Sequence, residues 1–425
     1  MLRLLGGLVV CITTLYCPPN SRTGQGRGRK GTGLYPELAA VRMFDGLSPN
    51  LQSEVARLVA TMPIELTRAE MARRGIDLDE KTVHRIALNV GIQMLAVRTE
   101  ELRRFQSGEM PAGTAFAGKR IAVAIDGGRV RVRKVNKKSR VGKKRKRRSF
   151  STDWREPKVL TIYELDEKGR KVRGSESIID GTLLGPDATA ELVAMHLHRL
   201  GAAAAAEVVF LADGAPWIWD RLPWIRRRVG IAVWRTTEVL DWSHAVHHIS
   251  LALEALGIES SERRKLYWQL RGLLKRGQAW ELVDRLSELA HGQPDDSDVW
   301  VEIRYFEKHV KADRLGYAHF RRCGVPQGSG AIESTIRRVI NLRLKGNGIF
   351  WKEENAEAIF QLRAALLSGR WDKQLAEVHE KVASDRRIDW NWQPTDIMSD
   401  LKADTVAPPL SPQPQAEEPS TVRAA

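Results

Sequence analysis

The sequence predicts an α/β core, interrupted by an all-α insertion and preceded by a small helical domain. Three observations predict it. Apolar runs of strand length end in an aspartate and then a glycine at 121–130 (IAVAIDGGRV) and 208–217 (VVFLADGAPW). Between and after these runs, strand and helix patterns alternate, as in a layered α/β sheet. From Asp241 to Leu315, and again over 48–107, apolar residues recur only at helical three- and four-residue spacing.

Residues 1–47 read as an N-terminal arm or remnant. Met1-Leu-Arg followed by Leu4–Leu15 superficially resembles a leader, but Gly6-Gly7 and Thr13-Thr14 break its apolar run. It is also too short to span a bilayer. A buried strand, or a start placed upstream of the functional one, is expected there, followed by a Gly/Pro/Arg-rich loop at 18–35.

Ser48-Pro49 opens a helix to about Met62. Thr67–Arg74 and Glu80–Leu88 flank a Gly75–Asp79 turn, the helix-turn-helix layout. Lys81, Thr82, His84 and Arg85 would then face a DNA groove, the alternative being a plain helical unit packed through Val83, Ile86 and Ala87. A helix over Gly91–Phe105 completes a domain at 48–107, and 108–118 is a Gly/Pro linker.

The α/β domain is expected at 119–240 and 324–370. Strands are read at Ile121–Ile125, Arg129–Val135, Val159–Leu165 and Lys171–Ile178, then a helix over Asp187–Leu200 prolonged by alanines 202–206. Glu207–Leu211 is continuously apolar, as a strand buried on both faces must be. A helix at Pro216–Arg228 and a strand at Ile231–Trp234 follow. The helical insertion fills 241–323. Gly328-Ser329-Gly330 then opens a helix to about Leu344, and a glycine break at 346–348 precedes a helix at 353–368. Residues 393–425 are Pro/Ser/Ala-rich and expected to be disordered.

The chain has 425 residues and a net charge of +16. Arg129–Arg148 holds 13 Lys/Arg in 20 residues with no acid, which leaves +3 for the rest. Such a block implies a polyanionic partner. Arg129, Arg131 and Arg133 on the alternating strand, with Lys143, Lys144, Arg145, Lys146, Arg147 and Arg148 in the block, are candidate phosphate contacts to double-stranded DNA. The alternative is a solvated loop. Three cysteines exclude a disulfide framework. With no segment approaching a membrane span, no membrane association is expected, and a cytoplasmic, nucleoid-associated protein is.

Asp126 and Asp213 end strands, and Glu333 lies in the first turn of a helix. Phosphodiester cleavage needs an activated nucleophile and a stabilised leaving oxygen, which two divalent ions about 3.5–4 Å apart supply. Mg²⁺ takes one or two carboxylates per ion, so three acids suffice for a pair. Each acid also has a structural reading: Asp-Gly marks a hairpin, and a glutamate in a first turn favours the helix dipole.

The segments AIDGGRVRVR, FLADGAPWIWD, LDWSHAVHHI and GVPQGSGAIESTIRRVINLRLKGNGIFW resemble those of bacterial insertion-sequence transposases with an acidic (DDE) triad, of the IS-Kra group, over roughly residues 35 to 370. The resemblance implies a ribonuclease H-like catalytic domain split by a helical insertion, with the triad at Asp126, Asp213 and Glu333. Their intervals are 87 and 120 residues, the second lengthened by the insertion. It further implies two Mg²⁺ ions (Mn²⁺ substituting), cleavage at terminal inverted repeats, strand transfer to target DNA, and a homodimer or higher oligomer on DNA. Relatives often carry N-terminal cysteine pairs resembling a zinc ribbon; this chain has no such set.

Asp241-Trp-Ser-His244 resembles the Asp-x-x-His element of the wider Mutator-type transposases, which gives His244 a place beside the scissile phosphate or an active-site carboxylate; alternatively His244, His247 and His248 are polar residues of an amphipathic helix. HAVHH lacks the glutamate of a zinc hydrolase. Among 13 tryptophans, mostly core, Trp219 is the candidate to stack on an unpaired base. The function expected is that of a transposase. The alternatives are a nuclease or resolvase without strand transfer, and a catalytically silent DNA-binding derivative.

Overall fold

Strands buried on every residue must sit inside a covered sheet, and they set the centre of this molecule. The computed structural model describes residues 2–3, 9–10, 47–136, 149–175, 177–346 and 348–385. The charge block 143–148 and the tail 393–425 lie outside the described residues. In chain order, β1 (Leu2–Arg3) pairs antiparallel with β2 (Val9–Val10). Three helices follow: α1 (Pro49–Thr61), α2 (Ile64–Arg73) and α3 (Glu80–Gln106). Ser48 caps α1 and Asp79 caps α3 through side-chain oxygens.

The sheet is mixed and five-stranded. Its central strand β3 (Arg120–Gly127) pairs antiparallel with β6 (Lys158–Leu165), which pairs antiparallel with β7 (Ile178–Thr182). On its other side β3 pairs parallel with β8 (Glu207–Ala212), and β8 with β9 (Thr236–Leu240). The strands β4 (Val130–Val135) and β5 (Phe150–Arg155) form a separate two-stranded ribbon. Helix α4 (Pro186–Leu200) links β7 to β8, while α5 (Pro216–Trp219) and α6 (Leu222–Val229) link β8 to β9. The helical segment comprises α7 (Trp242–Ala255), α8 (Ser260–Arg276), α9 (Ala279–Leu289), α10 (Asp298–Lys311) and α11 (Tyr317–Arg322). After it come α12 (Gly330–Ile336), a π-helical turn (Arg337–Asn341), α13 (Glu353–Leu367) and α14 (Trp371–Asp385). No helix among the described residues is long and apolar enough to cross a membrane.

Several expected elements move. Glu80–Leu88 and Gly91–Phe105 are one helix of 27 residues. A Cβ on Gly91 would stand 2.8 Å from the Ala358 carbonyl oxygen, so this glycine lets α3 and α13 touch rather than breaking a helix. The expected strand Lys171–Ile178 gives way to a turn at Gly174, with β7 starting at Ile178. The alanine run does not prolong α4, because left-handed Gly201 ends that helix and a single 3₁₀ turn follows. Pro216–Arg228 divides into α5 and α6. Ile231–Trp234 is not a strand: Val233 and Trp234 are exposed in a 3₁₀ turn, and the strand is Thr236–Leu240. β5 and α14 were not anticipated.

β7 carries a buried charge that periodicity does not announce. Asp180, in a strand whose every residue is buried, accepts from Arg98 Nη1 at 2.9 Å and sits 2.8 Å from His196 Nε2. Arg98 also bonds Gly181 O, Gln361 and Glu357. Burial opposes ionisation, but Arg98 and His196 hold the Asp180 carboxyl well below its usual range. The network joins α3, β7, α4 and α13, and the hydrophobic core runs without interruption from α1 to the sheet. Removing one partner of such a buried pair strands the other charge. Arg98→Ala is expected to cost about 3–5 kcal/mol in urea unfolding, and a loss below about 1 kcal/mol would contradict the network's role.

Candidate acidic site at the strand ends

Parallel register fixes what meets at the carboxyl end of the sheet. Ile125 lies opposite Ala212, and Ala212 opposite Leu240. The residues that follow are Asp126, Asp213 and Asp241, so three adjacent parallel strands each end in an aspartate. Asp241 was missed as a site residue because the last strand was placed too early. With β9 at Thr236–Leu240, it becomes the third strand-end acid.

The three differ in how their charge is met. Asp241 is fully buried and caps α7, accepting from the His244 N–H at 2.9 Å, from the Ser243 hydroxyl and from the Ser329 N–H. Burial works against its ionisation, but these donors hold its carboxyl below the ordinary value. Among the described residues, Asp126 accepts only from the Gly127 N–H at 2.6 Å, and Asp213 from the Ala215 N–H at 3.0 Å. Burial pushes the Asp126 carboxyl up to about 6, with the charges of Asp213 and Glu333 adding to the rise and Gly127 and His244 opposing it. Asp126, Asp213, Glu333 and half-buried His244 therefore share one electrostatic environment.

Asp241 also places Glu333. The Trp242 N–H donates to Gln327 O, and the Ser329 N–H to Asp241, which pins the loop before α12 to the end of β9. The Ser329 hydroxyl donates to Glu333 Oε1 at 3.0 Å. From the other side, α12 packs on β3 and β6. A Cβ on Gly128 would stand 2.2 Å from Ile340 Cδ1, in the π-helical turn that continues α12. A Cβ on Gly214 would likewise stand 2.2 Å from Tyr305 on α10. None of Gly127, Gly128 and Gly214 has a positive φ, and β4 pairs with β5 rather than β3. The Asp-Gly pairs are thus not hairpin turns; Gly128 and Gly214 admit the elements that close the site.

The helical segment adds a layer above Asp213. Tyr305 stacks on His248 at 3.7 Å, and His248 Nδ1 lies 2.5 Å from Glu302. The Tyr305 hydroxyl is buried without a hydrogen-bond partner among the described residues, and burial and Asp213 both disfavour its ionisation. Trp219 is not available to a base: it is 3% exposed, donates its Nε1–H to Asp213 O at 2.7 Å and is covered by Arg314 at 4.1 Å. It buttresses the Asp213 loop.

The expected DNA contacts divide in the same way. Arg129 and Arg133 are exposed. Arg131 is wedged between Trp154 and Phe350 and donates to Gly346 O, so its guanidinium is committed to the fold. Lys143–Arg148 lie outside the described residues. On α3, Lys81 and Arg85 are exposed, whereas the Thr82 N–H and hydroxyl are both taken by Asp79.

The donor set is all carboxylate, which suits a hard divalent cation. Burial chiefly, and the charges of Asp213 and Glu333 in addition, raise the Asp126 carboxyl, and a bound cation would offset both. Among the described residues, however, no three His, Cys, Asp or Glu side chains already gather around one point. Each carboxylate is held instead by its local hydrogen bond. No protein-family model matches this chain, and no curated protein matches it.

A folded-state value of about 6, against an ordinary 3.8, means that the neutral Asp126 carboxyl favours folding below about pH 4. That contribution is lost as pH rises through about 6. Asp126→Asn, which is always neutral, is expected to raise stability in metal-free buffer at pH 7.5 by roughly 1–3 kcal/mol and to change little at pH 4. Thermal melts at the two pH values check this; destabilisation at both would contradict an Asp126 carboxylate disfavoured by burial and by neighbouring acids.

Proposed function

We propose that the chain is a DNA transposase of the acidic-triad type, with a ribonuclease H-like core. The observation that carries the reading is the placement of Asp126 and Asp213 at neighbouring ends of β3 and β8, with Glu333 brought over by α12. The strand order β7-β6-β3-β8-β9, antiparallel on one side of β3 and parallel on the other, supports the ribonuclease H-like assignment. So does the run of five helices between β9 and the Glu333 helix.

In this reading Asp126, Asp213 and Glu333 would hold two Mg²⁺ ions, or Mn²⁺ in their place, which supply charge stabilisation to the attacking and leaving oxygens. His244, on the first turn of α7, faces the same carboxylates and donates to a phosphate oxygen. Asp241 holds Ser329 and, through it, Glu333. Arg129 and Arg133 contact phosphates beside the site. A water oxygen attacks phosphorus at the element end, and the 3′-oxygen leaves as a hydroxyl. That hydroxyl's oxygen then attacks a target phosphorus, and as the new P–O bond forms the target's own P–O3′ bond breaks, its 3′-oxygen leaving with the proton as a hydroxyl. Lys81 and Arg85 of α3 are a further DNA contact, and an oligomer would pair two ends.

A catalytically silent DNA-binding protein is a second reading. It is favoured by the carboxylates not being gathered around one point.

One experiment separates the two: supercoiled plasmid carrying the flanking DNA, incubated with and without Mg²⁺. Wild type is expected to break the plasmid at the repeat boundaries only with metal. Asp213→Asn is expected to lose roughly 1000-fold in rate, from several kcal/mol of charge stabilisation, while still binding the ends. Breaks retained by the mutant would remove the mechanism, and binding without breaks by both proteins would establish the silent reading.

A further inference from the structure

Helix α8 carries six Lys/Arg against one acid, Glu262. The charges are not spread evenly. Leu266, Leu270 and Leu274 are buried and hold one face on the protein. On the opposite face Arg264, Trp268, Arg271 and Lys275 follow one another at spacings of four, three and four residues, a single stripe along the helix. Lys265, Gly272 and Arg276 form the adjoining row, where Gly272 presents no side chain. The stripe from Arg264 to Lys275 is about 16 Å long at helical rise.

Arg264, Lys265 and Lys275 are exposed, and none is ion-paired among the described residues. Trp268 is 55% exposed. Arg271 lies over the rings of Trp268 at 4.7 Å and Trp242 at 5.7 Å. Trp242 is the first residue of α7 and directly follows Asp241, so Arg271 ties the stripe to the start of the helix that leaves β9. On its other flank Glu281, Asp284 and Glu288 of α9 line a groove with Trp268, Gly272, Arg276 and Arg285, where Arg285 pairs with Glu288 at 2.7 Å. Glu281 and Asp284, which pair with no cation among the described residues, repel a polyanion and mark the edge of the surface.

We infer that the Arg264–Lys275 face of α8 is a docking surface for the phosphate backbone of duplex DNA, leading from the acidic site across the helical segment. The inference rests on the transposase reading and adds to it where the duplex runs. Charge complementarity selects the occupant: unpaired cations in a row, bounded by acids. The face has no apolar stripe for insertion into a lipid surface, since its one large apolar side chain is stacked under a guanidinium.

The test is the salt dependence of binding to a 30-base-pair duplex of arbitrary sequence, without metal. The triple variant Arg264→Ala, Lys265→Ala, Lys275→Ala is compared with wild type. A control variant, Arg104→Ala, Lys308→Ala, Arg322→Ala, loses the same net charge at exposed positions elsewhere. Each phosphate contact contributes about 0.9 to the slope of log affinity against log salt. The α8 variant is expected to lose about 2–3 from that slope, with unchanged circular dichroism and melting, while the control stays within about 0.5 of wild type. Equal slopes for wild type and the α8 variant overturn the inference and leave the transposase reading standing. Equal losses in both variants also overturn it, since net charge alone would account for them. A wild type that binds no duplex fails both readings, as does binding only to phosphatidylserine vesicles.

Discussion

Parallel pairing of β3, β8 and β9 forces three aspartates to one end of the sheet, and the surrounding structure is arranged around that crowding of like charge. Topology treats the three alike; their environments do not. Asp241 receives donors from the first turn of α7 and from Ser329, so its charge is met and it becomes a clasp. Asp126 and Asp213 receive one backbone N–H each, and burial leaves Asp126 with its carboxyl pushed up to about 6. Environments that drive equivalent acids apart are how one structure assigns them different tasks. Here Asp241, with the most donors, positions the Ser329 loop, and in the proposed transposase Asp126 and Asp213 would be the acids left for metal ions.

Closing the site is a problem of approach, solved by glycine. Gly128 admits Ile340 and so brings the Glu333 segment against β3, while Gly214 admits Tyr305 and brings the helical segment down on Asp213. A side chain at either position would wedge apart elements that must converge. The π-helical turn after α12 belongs to the same arrangement. Arg363 on α13 donates to the carbonyls of Arg338 and Val339, which keeps this irregular turn supplied with partners and fixed in place.

Much of this was legible in the sequence because burial writes itself into periodicity. Continuous apolar runs at 121–125 and 207–211 mark strands covered on both faces, and helical spacing marks 241–315. What was not legible follows from contacts distant in sequence. Asp180 lies in a buried strand that the sequence did not mark, because Arg98, 82 residues earlier, supplies its counter-charge. Gly91 looks like a helix break and is a helix–helix contact. Thr236–Leu240 has too few apolar residues to announce an edge strand, and that concealed Asp241. Trp219 was assigned by its nearness to Asp213 in sequence; its Nε1–H turns inward to the backbone of Asp213 and its ring is sealed.

In the proposed transposase Asp126, Asp213 and Glu333 would exchange their single local hydrogen-bond partners for shared divalent ions. The most direct measurement is anomalous X-ray scattering from crystals equilibrated with Mn²⁺. Manganese is expected between Asp126 and Asp213, with Glu333 turned from Ser329 toward it and Asp241 still capping α7. Manganese absent from the strand ends, or bound only at other acids of the surface, would contradict it.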